Sequence, residues 1–222
     1  MKLLASLLIL FYCLLCFEFS VIASPTEKTS DPTFEELEAM DFDALMNLKI
    51  QSVSKKEEKL ADAAAAVFVI SQEDIRRSDA TVIPELFRMV PGMQVARIDS
   101  NKWAVTSRGS NSRFANKLLV LIDGRSIYTS YFSGVYWDEH NLVMEDIERI
   151  EIIRGPGGTL WGANAVNGVI NIITKHSKNT LGGMVSTGMG SEERGIGTFR
   201  YGKELAKDKT IRVYGKYYNR DE

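Results

Sequence analysis

The stretch Asp146–Lys175, DIERIEIIRGPGGTLWGANAVNGVINIITK, holds two strand-like runs, Arg149–Arg154 and Gly168–Lys175, on either side of a glycine-rich loop. The layout invites a nucleotide-binding reading, and the residues refuse it. As a phosphate loop it has Gly157 and Gly162 at the right spacing, but Ala163 and Asn164 stand where Lys and Ser/Thr must supply charge and magnesium ligation. As a dinucleotide fingerprint it has Gly155-Pro156-Gly157, followed by Leu160 where a third glycine or alanine belongs. The glycines therefore serve backbone geometry: tight turns and the close approach of a neighbouring wall.

Working upstream, the chain has the punctuation of an α+β unit. Ala66–Ile70 reads as a strand, and Ser71 as the N-cap of a helix with Glu73 and Asp74 in its first turn, where the helix dipole favours acids. A second helix follows Thr81, carries Leu86, Phe87 and Val90 on one face, and stops at Pro91-Gly92. Strands are expected at Met93–Ile98, Trp103–Ser107 and Lys117–Ile122, the last closed by Asp123-Gly124, a strong hairpin signal. A short helix over Val143–Glu148 leads into the quoted stretch. Together these elements predict a small mixed sheet with short helices on one side.

Between the strands lie loops with unusual contents. Arg97–Trp103 (RIDSNKW), Ser110–Asn116 (SNSRFAN) and Tyr128–Trp137 (YTSYFSGVYW) concentrate aromatic rings with Asn, Ser and Arg. Rigid aromatic plates with a few polar donors are the materials of small-molecule recognition, although some such rings anchor loops by packing.

The composition excludes several classes. With 27 basic and 29 acidic residues the formal charge is -2, which argues against a polyanion-binding surface and so against nucleic acid as a partner. No catalytic constellation is present. The two histidines, His140 and His176, lack metal-site spacing, no Ser occupies a GxSxG elbow, and Glu145, Asp146, Glu148 and Glu151 read as a solvated or ion-paired face. Neither a metal, a cofactor nor an enzymatic activity is expected.

The N-terminus reads as an export signal. Lys2 precedes the apolar run Leu3–Phe17, which is shorter than the roughly 18 residues of a spanning helix, and Ser20–Ser24 offers small residues for cleavage. Residues 1–23 are assigned to this leader. Both cysteines, Cys13 and Cys16, fall inside it, so the mature chain carries no thiol. Residues 24–47 form an acidic extension whose Thr33 and Glu36 have capping-box spacing; a short amphipathic helix and a solvated tail are equally compatible with it. Lys49–Ser54 (KIQSVS) is extended in preference and precedes the charged run Lys55–Lys59, the form of a strand that a partner captures at a sheet edge.

Downstream of Lys175 the pattern changes to strand and turn. Val185, Thr187 and Met189 alternate with small residues, Gly195–Tyr201 follows a polar turn, and Ile211, Val213 and Tyr217 alternate with Thr210, Arg212 and Lys216. Apolar-out, polar-in alternation is the signature of membrane β-strands. Three strands cannot close a barrel, so the chain is expected to be a fragment that conducts nothing by itself.

The ordered blocks AVFVISQEDIRRS, IPELFRMVPGMQV, WAVTSRGSNSRFANKLLVLIDGRSIY and DIERIEIIRGPGGTLWGANAVNGVINIITK resemble the plug domain of TonB-dependent outer-membrane receptors. The resemblance implies a plug at residues 60–176, inside a barrel of about 22 strands of which 177–222 are the first. It further implies a cell outer-membrane location, with the plug facing the periplasm, and active uptake of a scarce small molecule such as a siderophore, cobalamin or another metal chelate. The partners it implies are the TonB protein and outer-membrane lipid. Residues 48–59 would be the TonB-box-like segment and spacer, with Lys49, Ile50, Gln51, Ser52, Val53 and Ser54 binding TonB. Ligand-facing residues by loop position would be Arg97, Arg113, Phe114, Tyr131, Phe132, Tyr136 and Trp137. Arg108, Glu151 and Arg154 would latch plug to barrel wall. The alternatives are a stand-alone soluble periplasmic binding module built on the plug fold, and an envelope hydrolase.

Overall fold

The computed structural model describes residues 49–50, 58–59, 66–207 and 209–220. The leader, the acidic extension and Gln51–Ser54 lie outside the described residues. A two-residue ladder comes first, β1 (Lys49–Ile50) antiparallel to β2 (Glu58–Lys59).

Apolar alternation then builds the central sheet. It consists of β3 (Val67–Ser71), β6 (Leu118–Ile122), β7 (Arg125–Ser126), β8 (Ile147–Arg154) and β9 (Gly168–Thr174) in the order β3-β8-β9-β6-β7. β6 and β9 are parallel and the other neighbours antiparallel, so the sheet is mixed. Because side chains alternate, Ile150, Ile152, Ile170 and Ile172 point to one face, where they are fully buried. Leu119, Leu121, Ile153 and Val169 point to the other, over Ala165. A second antiparallel pair, β4 (Met93–Arg97) with β5 (Trp103–Ser107), adds Trp103 and Val105 to the first cluster.

The helices are short. α1 (Gln72–Arg77) starts at Ser71, whose Oγ accepts from the Asp74 N–H at 3.2 Å while the Asp74 carboxylate accepts from the Ser71 N–H at 2.8 Å. That reciprocal pair fixes the entry angle and directs Ile75 into the core. The helix expected after Thr81 is a single turn, α2 (Ile83–Leu86), tightening into a 3-10 turn at Phe87–Met89. The helix expected at Val143–Glu148 is only the 3-10 turn Met144–Asp146, because Ile147 already pairs with Thr174 in the sheet. α3 (Gly158–Trp161) packs Trp161 against the opposite sheet face, so the helices are not all on one side.

The glycine-rich loop behaves as backbone geometry demands. A Cβ on Gly168 would come within 2.4 Å of the Ile153 carbonyl oxygen, so only glycine lets β9 close against β8 there. At the far end of β6, Asp123 (φ 48°) and Gly124 (φ 76°) form the two-residue turn into β7.

After a 3-10 turn at Ser177–Thr180 come β10 (Gly182–Gly188), β11 (Glu193–Ala206) and β12 (Lys209–Arg220), an antiparallel three-stranded sheet. Register places Val185 beside Phe199 and Tyr201 beside Val213 on one face, and Thr198 beside Lys216 and Gly202 beside Arg212 on the other. The first face is exposed and apolar. The second is polar and turned toward the central unit, as its bonds to Thr81, Asn141, Asp146 and Lys175 require.

Candidate functional site

Three groups of residues carry chemistry. The first is built by the loops before β6 and after β7. Phe114 and Phe132 meet edge to face at 5.0 Å, and Phe132 meets Tyr136 the same way at 4.9 Å. The Arg113 guanidinium sits 5.5 Å from the Tyr136 ring centroid and 5.9 Å from that of Phe114, within cation–π range. Tyr131 stands beside them, 89% exposed. Five of the seven residues expected to face a ligand thus lie together in two neighbouring loops. One cation among large rings offers aromatic contact and a positive charge at one place.

The other two depart from their expected place. Trp137 is buried, edge to face with Phe87 at 5.3 Å, and anchors its loop to the core. Arg97 reaches Glu192, in the turn between β10 and β11, at 2.5 Å, and lies 5.8 Å from the Trp103 ring centroid. In the same loop, Lys102 and the Ser100 N–H hold the Asp99 carboxyl below its usual range, with Arg113 adding a weaker pull.

A cavity of 780 Å³ begins at Tyr136 and follows the outer edge of the sheet past Thr129 and Ser126 to Arg125 and Asp123, with His140 on its wall. Burial pushes the Tyr128 phenol up to about 12, and its hydroxyl donates to the Leu118 carbonyl at 2.6 Å. Burial lowers the His140 imidazole, against an opposing pull from Glu139.

Second come the residues expected to latch the plug. Arg108, in left-handed backbone at φ 63°, donates to the Arg154 carbonyl at 3.5 Å, and Arg154 donates to the Pro91 carbonyl at 3.3 Å. The Arg154 Nε is buried with no bonded partner. Glu151 departs from the expectation: it is fully buried, and Arg149 Nε lies 2.9 Å from its carboxylate. Alternation explains this, since 149 and 151 share one face of β8 while 154 belongs to the other.

The third group was not singled out in the sequence. Asp146, read there as part of a solvated or ion-paired face, is buried, with Arg200 of β11 at 2.5 Å and Arg212 of β12 at 3.6 Å. Lys216 donates to the Thr81 carbonyl and the Asn141 side-chain oxygen, each at 2.8 Å. Arg220 bonds Glu193 at 2.6 Å, and Glu193 accepts the Thr81 hydroxyl. The available signal was spacing: Arg212, Lys216 and Arg220 recur every four residues and so share the inward face of one strand.

Of the segment expected to bind TonB, only Lys49 and Ile50 are described; they form the ladder with Glu58 and Lys59, and Ile50 is fully buried.

Comparison with known proteins follows the same lines. Residues 59–169 match the TonB-dependent Receptor Plug Domain family. The vitamin B12 transporter BtuB of Vibrio vulnificus is 32% identical over 170 residues, covering 76% of this chain and 27% of that protein. The ferric-catecholate import receptor Fiu of E. coli K12 is 28% identical with a TM-score of 0.55, over 75% of this chain and 23% of that one. P. aeruginosa FpvA, solved with a bound pyoverdine, shares the fold at a TM-score of 0.61 and 18% identity, over 78% of this chain and 22% of its own. The chain therefore spans about a quarter of the length of the relatives it matches.

Proposed function

Since this chain belongs to the TonB-dependent receptor plug family, we propose that it supplies the plug and opening wall strands of an outer-membrane receptor for active uptake of a scarce small molecule. The boundaries follow the sequence reading: a plug over 60–176 and wall strands over 177–222. The observation that carries the proposal is the inverted three-stranded sheet, apolar outward and charged inward, bonded to a plug whose loops gather Arg113, Phe114, Tyr131, Phe132 and Tyr136. A sheet of that polarity belongs between lipid and a filled lumen.

In this reading the loop cluster binds the ligand. The named ligands of the relatives, vitamin B12 and ferric catecholate, are both large conjugated chelates that such rings suit. Arg108 and Arg154 hold the plug against carboxylates of the completed wall, which a guanidinium can meet bidentately. The segment Lys49–Ser54 receives the pull of TonB by adding to a sheet edge, which requires the short ladder at Lys49 and Ile50 to open.

The test uses the complete receptor in cells, offered cyanocobalamin or a ferric catecholate. Uptake of one of them should depend on the energised inner membrane. Replacing Ile50 by Pro should abolish that uptake and leave ligand binding unchanged, because proline removes a donor and blocks strand addition. Uptake that continues without TonB overturns the proposal; unimpaired uptake by the proline variant places the TonB contact elsewhere.

A further inference from the structure

We propose that Asp146, Arg200 and Arg212 form a clasp that sets the position of the plug on the wall and is opposite in polarity to the arginine latch: here the plug supplies the carboxylate and the wall the guanidiniums. The inference rests on the receptor reading only for the identity of wall and plug.

The geometry ties four elements at one point. Asp146 closes the 3-10 turn that enters β8, and its carboxylate takes Arg200 from β11 and Arg212 from β12. Arg212 also donates to the Lys175 carbonyl at 2.9 Å, and the Lys175 N–H donates to the Asp146 carbonyl at 2.8 Å. The start of β8, the end of β9 and two wall strands therefore share one charge-assisted junction. The side chains of Asp146, Arg200 and Arg212 are only 7%, 13% and 18% exposed. Surface pairs contribute little, but a pair this shielded loses heavily when one partner is removed, because a buried charge is left behind.

Position gives the clasp its role. Around it, Lys216 and Arg220 offer the inward face of β12 further donors; Lys216 feels the Glu145 carboxylate, but the groups these donors bond on the plug are neutral, the Thr81 carbonyl and hydroxyl and the Asn141 amide. Neutral acceptors tolerate a shift between plug and strand. Asp146 is the plug carboxylate that Arg200 and Arg212 meet, and two guanidiniums converging on it from adjacent strands define one position.

The experiment is hydrogen exchange on the complete receptor in detergent, comparing segments 141–147 and 173–176 with the sheet segments 150–153 and 169–172. Asp146→Asn, Arg200→Gln and Arg212→Gln should each speed exchange at the junction at least tenfold and leave the sheet unchanged. Asp146→Asn with Arg200→Gln should be no worse than either alone. Unchanged exchange in all single variants, or effects that simply add, each overturn the clasp. If Asp146→Asn does not accumulate, Arg212→Gln, at the longer of the two contacts, carries the same comparison. Exchange needs neither ligand nor TonB, so failure of energised uptake leaves this result standing, and the reverse also holds.

Discussion

The central and the terminal sheet are built from the same two-residue alternation and turned inside out relative to each other. In the central sheet Ile150, Ile152, Ile170 and Ile172 are fully buried. In the terminal sheet Val185 and Tyr217 are 72% and 70% exposed, while the side chain of the inward Arg220 is 7% exposed. Alternation decides only that two faces differ; which face is apolar tells where the water is. The central sheet gains its free energy by withdrawing area from water, so its stability does not depend on lipid. The terminal sheet makes the same gain only when lipid covers its outer face.

That contrast can be broken most directly in the central sheet. Ile152→Ala should cost about 2–5 kcal/mol, by lost transfer energy and a residual cavity. The same loss should appear in detergent and in lipid vesicles, measured by urea titration of tryptophan fluorescence. A difference between the two media would show that the plug core also depends on lipid.

The converse substitution is on the terminal sheet. Val213→Lys places an ammonium on the outward face, next to Tyr201, and should cost about 2–4 kcal/mol in a bilayer if Val213 lies near its midplane. Insertion into vesicles, followed by protection from added protease, measures it. In urea without lipid the substitution should be nearly silent. Insertion at wild-type efficiency would remove the lipid-facing assignment.

A smaller effect sharpens the comparison from the water-facing side. Ser71→Ala removes the acceptor for the Asp74 N–H and one half of the capping box, and should cost about 1 kcal/mol. The cap is exposed, so the loss should be identical with and without lipid in the same urea titration.

Most of the fold could be read from residues because local rules and tertiary packing agree along it. Ser71 caps, Asp123-Gly124 turns, and the runs at Leu118–Ile122 and Gly168–Thr174 are strands. Helix length was less legible: Ile147 satisfies helical spacing, yet its pairing with Thr174 outweighs a turn of helix. At the candidate site, Arg113, Phe114, Phe132 and Tyr136 were identifiable because aromatic rings outside any core period stand out. Trp137 has the same composition signal, and only the position of Phe87 separates an anchor from a ligand plate. The Asp146 cluster was illegible for another reason. Its partners lie 54 and 66 residues away on strands whose inward face is known only once the sheet has been oriented, and an acid near three others reads as solvated until that is done.

The smallest effect tests whether the groove edge of the central sheet is closed to water as its two faces are. Burial keeps the His140 imidazole below its ordinary pKa of about 6.5, although Glu139 and Asp138 pull the other way. A base lowered in this way binds its proton less readily folded than unfolded. Stability should therefore be unaffected above about pH 7 and fall as pH drops through and below about 6.5, until the folded ring is protonated as well. His140→Gln removes that part of the pH dependence. Because the ring is only half-buried and screened by solvent, the difference between wild type and variant should stay below about 1 kcal/mol. Urea midpoints at pH 7.5 and pH 5.0 measure it. Equal pH slopes for the two proteins would mean that water already reaches the ring along the cavity, and that the β7 edge is the wettest part of an otherwise dry sheet.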